Sequence, residues 1–141
     1  MDLSSETVRS EQLGHLGLLA ATIEDIGLID KVNERIPLSE AKGGIVPHGQ
    51  RVAAMILNGL GFINTRLYMS PLFFEDKPVS NLLGDGVQAE HLNDDTLGRC
   101  LDKIAAYGTT KLFSELAFSI AQQKGLIGKR LHLDILIAFE F

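Results

Sequence analysis

Residues 47–67, PHGQRVAAMILNGLGFINTRL, decide how the rest of the chain is read. Val52, Met55, Ile56, Leu60 and Ile63 recur at steps of three and four, the spacing that lines one side of an α-helix with apolar groups. Arg51, Asn58 and Arg66 fall off that stripe. Pro47 suits a helix start, where its fixed φ is already helical and its missing N–H is not needed. Gly59 and Gly61 mark either a close helix approach or a loosening before Phe62. The expectation is a central helix with Val52, Met55, Ile56 and Leu60 among its most buried residues.

Helical periodicity extends in both directions. Leu16, Leu19, Ala20, Ile23 and Ile26 share a face of a first helix that stops at Gly27. A short second helix covers residues 28–36 and ends at Pro37, because the residue before a proline avoids helical geometry. Residues 38–46, with Lys42, Gly43 and Gly44, read as a loop; the glycine pair lacks the Lys-Ser/Thr and preceding strand of a phosphate loop. Beyond the central helix, Ser70 and Pro71 read as an N-cap and first helical residue. Two short turns follow, over residues 72–74 and 79–83, and the Phe73–Phe74 pair reads as a core plug.

Asn93 or Asp94 can cap the next helix, with Asp95 in the first turn where negative charge suits the helix dipole. Its stripe is Leu97, Cys100, Leu101 and Ile104. After Gly108 a further helix carries Leu112, Phe113, Leu116, Ala117 and Ile120, and the tight link makes the two a hairpin whose stripes face each other. If Leu101 is core, its truncation to alanine costs about 2–5 kcal/mol. Glu90, His91, Asp94 and Asp95 match no zinc spacing, and the aspartates are accounted for as cap and first-turn residues.

After Gly128 the composition changes. LHLDILIAFEF is dense in Leu, Ile and Phe and has no helical polar face, so it reads as a buried-type strand. A lone strand leaves its backbone groups unpaired and needs a partner. The fold class expected is mainly α: a flexible segment over residues 1–12, a helical domain over 13–128, and one C-terminal strand over 129–141.

Composition limits the function. The chain has 141 residues and a formal net charge of −5. That length fits one domain with a core of its own. The acidic balance disfavours nucleic-acid binding by bulk charge alone, so any such binding needs a local cluster of Lys and Arg. Cys100 is the only cysteine, so no intrachain disulfide forms and a reducing cytoplasm is the simple expectation. The longest uncharged runs fall short of the ~18–20 residues of a membrane helix, so no membrane partner is expected. No nucleophile–base pair or phosphate loop is present, which argues against an independent enzyme.

The segments LGHLGLLAATIEDIGLID, HGQRVAAMILNGLGF, LYMSPLFFEDKPVSNLLGDGVQAEHLNDDTLGR, LFSELA and LHLD resemble the N-terminal region of insertion-sequence transposases with a DDE catalytic core. The similarity is to the large superfamily that includes the hairpin-forming transposases, and it runs over residues 13–134. The resemblance implies a helical region followed by a ribonuclease-H-like core whose first strand carries the first catalytic aspartate, here Asp134. In the intact family three carboxylates hold two Mg²⁺ ions for in-line phosphoryl transfer. Asp134 would be a metal ligand only in such a core. Here the strand continues as Ile135-Leu136-Ile137-Ala138-Phe139-Glu140-Phe141, and the second aspartate and the glutamate have no counterpart; Glu140 is too near along the same strand. The expectation is a truncated transposase, inactive alone and needing no cofactor as a fragment. Its expected partners are element-end DNA, a second copy of itself, or a full-length transposase. The alternative is a helical interaction module that regulates that transposase. Gln50, Arg51, Asn64, Arg66 and Lys77 are the DNA-binding candidates, being types suited to phosphates and base edges; the same residues also suit a plain solvated face.

Overall fold

The computed structural model describes residues 13–39, 45–61 and 69–128. Seven α-helices follow in order: α1 (Leu16–Asp25), α2 (Leu28–Arg35), α3 (His48–Gly59), α4 (Ser70–Phe74), α5 (Val79–Leu83), α6 (Asp94–Tyr107) and α7 (Thr109–Gln123). A single 3-10 turn, Ala89–Leu92, leads into α6. The described body is therefore helical, with no strand among the described residues. The expected C-terminal strand, with Asp134, lies outside them, as does the expected flexible N-terminal segment.

Local chemistry explains several boundaries. Asn93 caps α6: its side-chain oxygen accepts from the Thr96 N–H at 2.9 Å, with Asp94 and Asp95 in the first turn. Gly108, at φ +103°, is the only residue between α6 and α7 and turns the chain as an L-residue rarely can. Ser70 departs from expectation. It is the first residue of α4 rather than its cap, with Met69 in the cap position and Pro71 second. Its hydroxyl is buried without a hydrogen-bond partner among the described residues.

α3 is the hub, packed against α1, α2, α4, α5 and α6. This position overturns the expected burial pattern. Val52, Met55 and Ile56 only edge the core, and Leu60 is 48% exposed. The buried residues of α3 are His48, Gly49, Arg51, Ala53, Ala54, Leu57 and Asn58. The cause is packing on several sides at once: a surrounded helix has no single core face, so its largest apolar stripe does not identify its deepest one. Small residues take the tightest contacts. A Cβ on Gly49 would run into the Ile29 carbonyl of α2. The Asn33 side chain also accepts the Gly49 N–H at 2.6 Å.

The core around α3 contains Val32, Leu57, Phe74, Leu83, Leu92 and Leu97, each essentially without exposed surface. Phe73 and Phe74 meet edge to face at 4.8 Å and plug it, as expected for that pair. α6 also differs from expectation. It buries Leu97 and Cys100, but Leu101 is 45% exposed, because the helix turns a narrower face inward than its apolar stripe. α7 buries only Leu112 fully, while Leu116 packs at the edge of the core. Polar contacts hold the rest of α7. Arg35 of α2 pairs with Glu115 at 3.0 Å, the Tyr107 hydroxyl donates to the same carboxylate at 2.6 Å, and Lys124 pairs with Asp25. The Tyr107 and Arg35 bonds hold the Glu115 carboxyl below its ordinary range, and the Glu115 carboxylate raises the Tyr107 phenol.

Candidate nucleic-acid interface

The structure does not gather the five sequence candidates into one exposed patch. Asn64 and Arg66 lie outside the described residues. Gln50 is half-buried, and its side-chain oxygen accepts from Asn33 at 3.1 Å. Lys77 is engaged locally: its ammonium pairs with Asp76 at 2.8 Å and sits 4.4 Å over the Phe73 ring. That contact draws the Asp76 carboxyl below its usual range.

Arg51 is the informative one. It is only 6% exposed, and its Nη1 makes one long hydrogen bond, 3.4 Å, to the Thr96 carbonyl of α6. Its Nε is buried with no hydrogen-bond partner, and no salt bridge reaches it among the described residues. One turn earlier, His48 is 4% exposed and its Nδ1 is also buried without a hydrogen-bond partner. The Cys100 thiol donates weakly to the His48 carbonyl at 3.8 Å. Arg51 against Thr96 and His48 against Cys100 show that α3 and α6 run antiparallel here.

Sequence reasoning passed over the residues that complete this corner. Thr96, Arg99, Cys100 and Lys103 fall at helical steps along one side of α6. The positive charges of Arg51 and Lys103 reach His48 and, after burial itself, hold its pKa below the ordinary 6.5. Burial likewise lowers Arg51, with Arg99 adding to the effect, although a guanidinium stays charged at any physiological pH. Cys100 supplies no counter-charge: burial pushes its thiol up to about 11, so it stays protonated. The nearest stated carboxylate, Asp95, is bonded to Arg99. The signal was present in the His48–Arg51 and Arg99–Lys103 spacings, but the packing of α3 on α6 was needed to join them.

The opposite electrostatic case is an open cleft of about 560 Å³ among α1, α2 and α5. Glu24, Asp30 and Asp85 line it, together with Ile23, Ile29 and Leu82, and no Lys or Arg does. Phosphate is repelled from that side.

Set beside known proteins, residues 8–118 match the family described as Domain of unknown function (DUF4277). The chain belongs to that family. The DUF4277 match spans α1 to α6 and most of α7. No curated protein and no solved structure matches the chain. No helix among the described residues is long and apolar enough to cross a membrane.

Proposed function

We propose that the chain is the N-terminal helical domain of an insertion-sequence transposase, serving to contact element-end DNA and unable to cleave it alone. The observation that carries this reading is the resemblance of two long segments, residues 48–62 and 73–95. The described part of the first forms α3, the hub of the bundle. The second runs from α4 through α5 and the 3-10 turn into α6. The likeness thus falls on residues that build the core, where a coincidence of surface composition does not reach. The basic corner on α6 supports DNA contact, because it supplies the local positive charge that an acidic chain otherwise lacks. Catalysis needs three carboxylates around two metal ions, and Asp134 is one.

A second reading, pairing with a full-length transposase to regulate it, is favoured by one feature. Leu101, Phe113 and Phe118 of the α6–α7 hairpin are 45%, 63% and 62% exposed. Exposed apolar groups of that size mark a protein contact more often than a DNA contact. The test of the transposase reading is the nucleotide sequence beyond codon 141, read in all frames. Strands carrying a second aspartate and a glutamate support it; unrelated coding sequence or none of these carboxylates removes its basis.

A further inference from the structure

We propose that the corner between the first turn of α3 and the Thr96–Lys103 side of α6 is a phosphate-binding site, occupied by a phosphate of a nucleic-acid backbone. This rests on the DNA-contact reading above and names the surface that makes the contact.

Burial of Arg51 is the starting observation. A guanidinium taken out of water costs several kcal/mol unless charge and hydrogen bonds are returned to it. Arg51 receives one long bond to a carbonyl and no carboxylate among the described residues. A charge left uncompensated in a low-dielectric setting is screened weakly, so its positive potential extends to the nearby surface. At that surface stand Arg99, whose side chain is 68% exposed, and Lys103, also exposed, one turn apart on α6. The α3 N-terminus adds partial positive charge from the same side. Its cap residue, Pro47, offers no side-chain acceptor, and of the first-turn amides Gly49 donates to Asn33. His48, buried with Nδ1 unpaired, can add a proton when an anion arrives to balance it.

These groups suit a phosphate. Against Arg51, Arg99, Lys103 and a protonatable His48, one carboxylate, Asp95, sits at the outer edge on Arg99. The excess positive charge accommodates a phosphodiester, whose two free oxygens accept from a guanidinium fork and an ammonium together. Arg99 and Lys103 reach it from the surface, and Arg51 with His48 holds it from behind by field.

The experiment uses the full chain and its Arg99→Gln/Lys103→Gln variant, which changes only exposed side chains. Melting is followed in chloride, inorganic phosphate and acetate at one ionic strength, and duplex DNA binding is measured against salt. The expected result is a phosphate-specific rise in melting temperature that the variant loses. The variant should also have a log–log salt slope for DNA shallower by about 2, one for each phosphate-contacting cation removed. Equal melting in phosphate and chloride overturns the site, as does a rise in acetate equal to that in phosphate, which points to a carboxylate partner. DNA binding with the same slope in both proteins overturns the site and leaves the DNA reading standing. Phosphate stabilisation lost in the variant, with no DNA binding by the wild type, keeps the site and removes the DNA reading.

Discussion

Leu97→Ala and Leu101→Ala remove the same atoms from the same helix one turn apart, and the structure gives them very different costs. Leu97 has no exposed surface and belongs to the core cluster, with Leu116 of α7 at its edge. Truncating it forfeits the transfer energy of the side chain and leaves a cavity that the surrounding helices fill only in part. Leucine-to-alanine changes at such sites cost about 2.7–5 kcal/mol. The fixed Asn93 cap and the one-residue link to α7 limit how far α6 can move to close the gap, so we take ~3–4 kcal/mol within that range. Leu101 is 45% exposed. It gives up only part of its burial, leaves no enclosed void, and alanine is the better helix former, so its truncation costs less than about 1 kcal/mol. The assay is urea denaturation followed by far-ultraviolet circular dichroism. With a slope of roughly 2 kcal/mol per molar, Leu97→Ala lowers the midpoint by about 1.5–2 M and Leu101→Ala by under about 0.5 M. Equal losses, or a larger loss at Leu101, refute the orientation of α6 and with it the corner that Arg51 shares with Thr96.

Three further outcomes follow from the same packing. Gly49→Ala places a Cβ against the Ile29 carbonyl and should destabilise by roughly 1–3 kcal/mol, whereas Gly98→Ala, with open space around it, should stabilise by up to about 1 kcal/mol; thermal melts of the pair check this. His48, facing Arg51, Lys103 and the neutral Cys100 thiol, has a pKa below 6.5 when folded, so the unfolded chain binds its proton first on acidification. Its contribution is complete above pH 6.5 and is lost as pH falls through the lowered folded value; His48→Gln should flatten that part of the stability–pH curve. Purified protein with Mg²⁺ or Mn²⁺ should neither nick nor join element-end DNA, and metal-dependent cleavage that disappears in Asp134→Ala contradicts the need for three carboxylates.

Helix positions were legible in the sequence because their signals are local. Asn93 three residues before Thr96, Pro37 after Ile36, and glycine at 108 act within a few residues of themselves. Which face is buried was less legible. For α3 the apolar stripe pointed to Val52, Met55, Ile56 and Leu60, but a helix contacted on several sides is set by where small residues permit approach. Gly49, Ala53 and Ala54 mark those places and carry little weight in a pattern of large apolar groups. Contacts between distant positions were not legible at all: Arg35 meets Glu115 eighty residues later, and Arg51 meets Thr96 forty-five residues later. The candidate site followed the same division. Arg51 was readable as a cation on the central helix. Its burial, and its meeting with Arg99 and Lys103, required the antiparallel packing of α6 on α3.

The most direct test of the proposed function is a fluorescence-anisotropy titration of the protein with a labelled duplex from the end of its own element and with a shuffled duplex of equal length. It is run at 50 and 200 mM salt. The account predicts tighter binding to the element end than to the shuffled duplex, with both weakened by added salt as counterions return to the phosphates. Equal affinity for the two duplexes, or no binding at the lower salt, contradicts it.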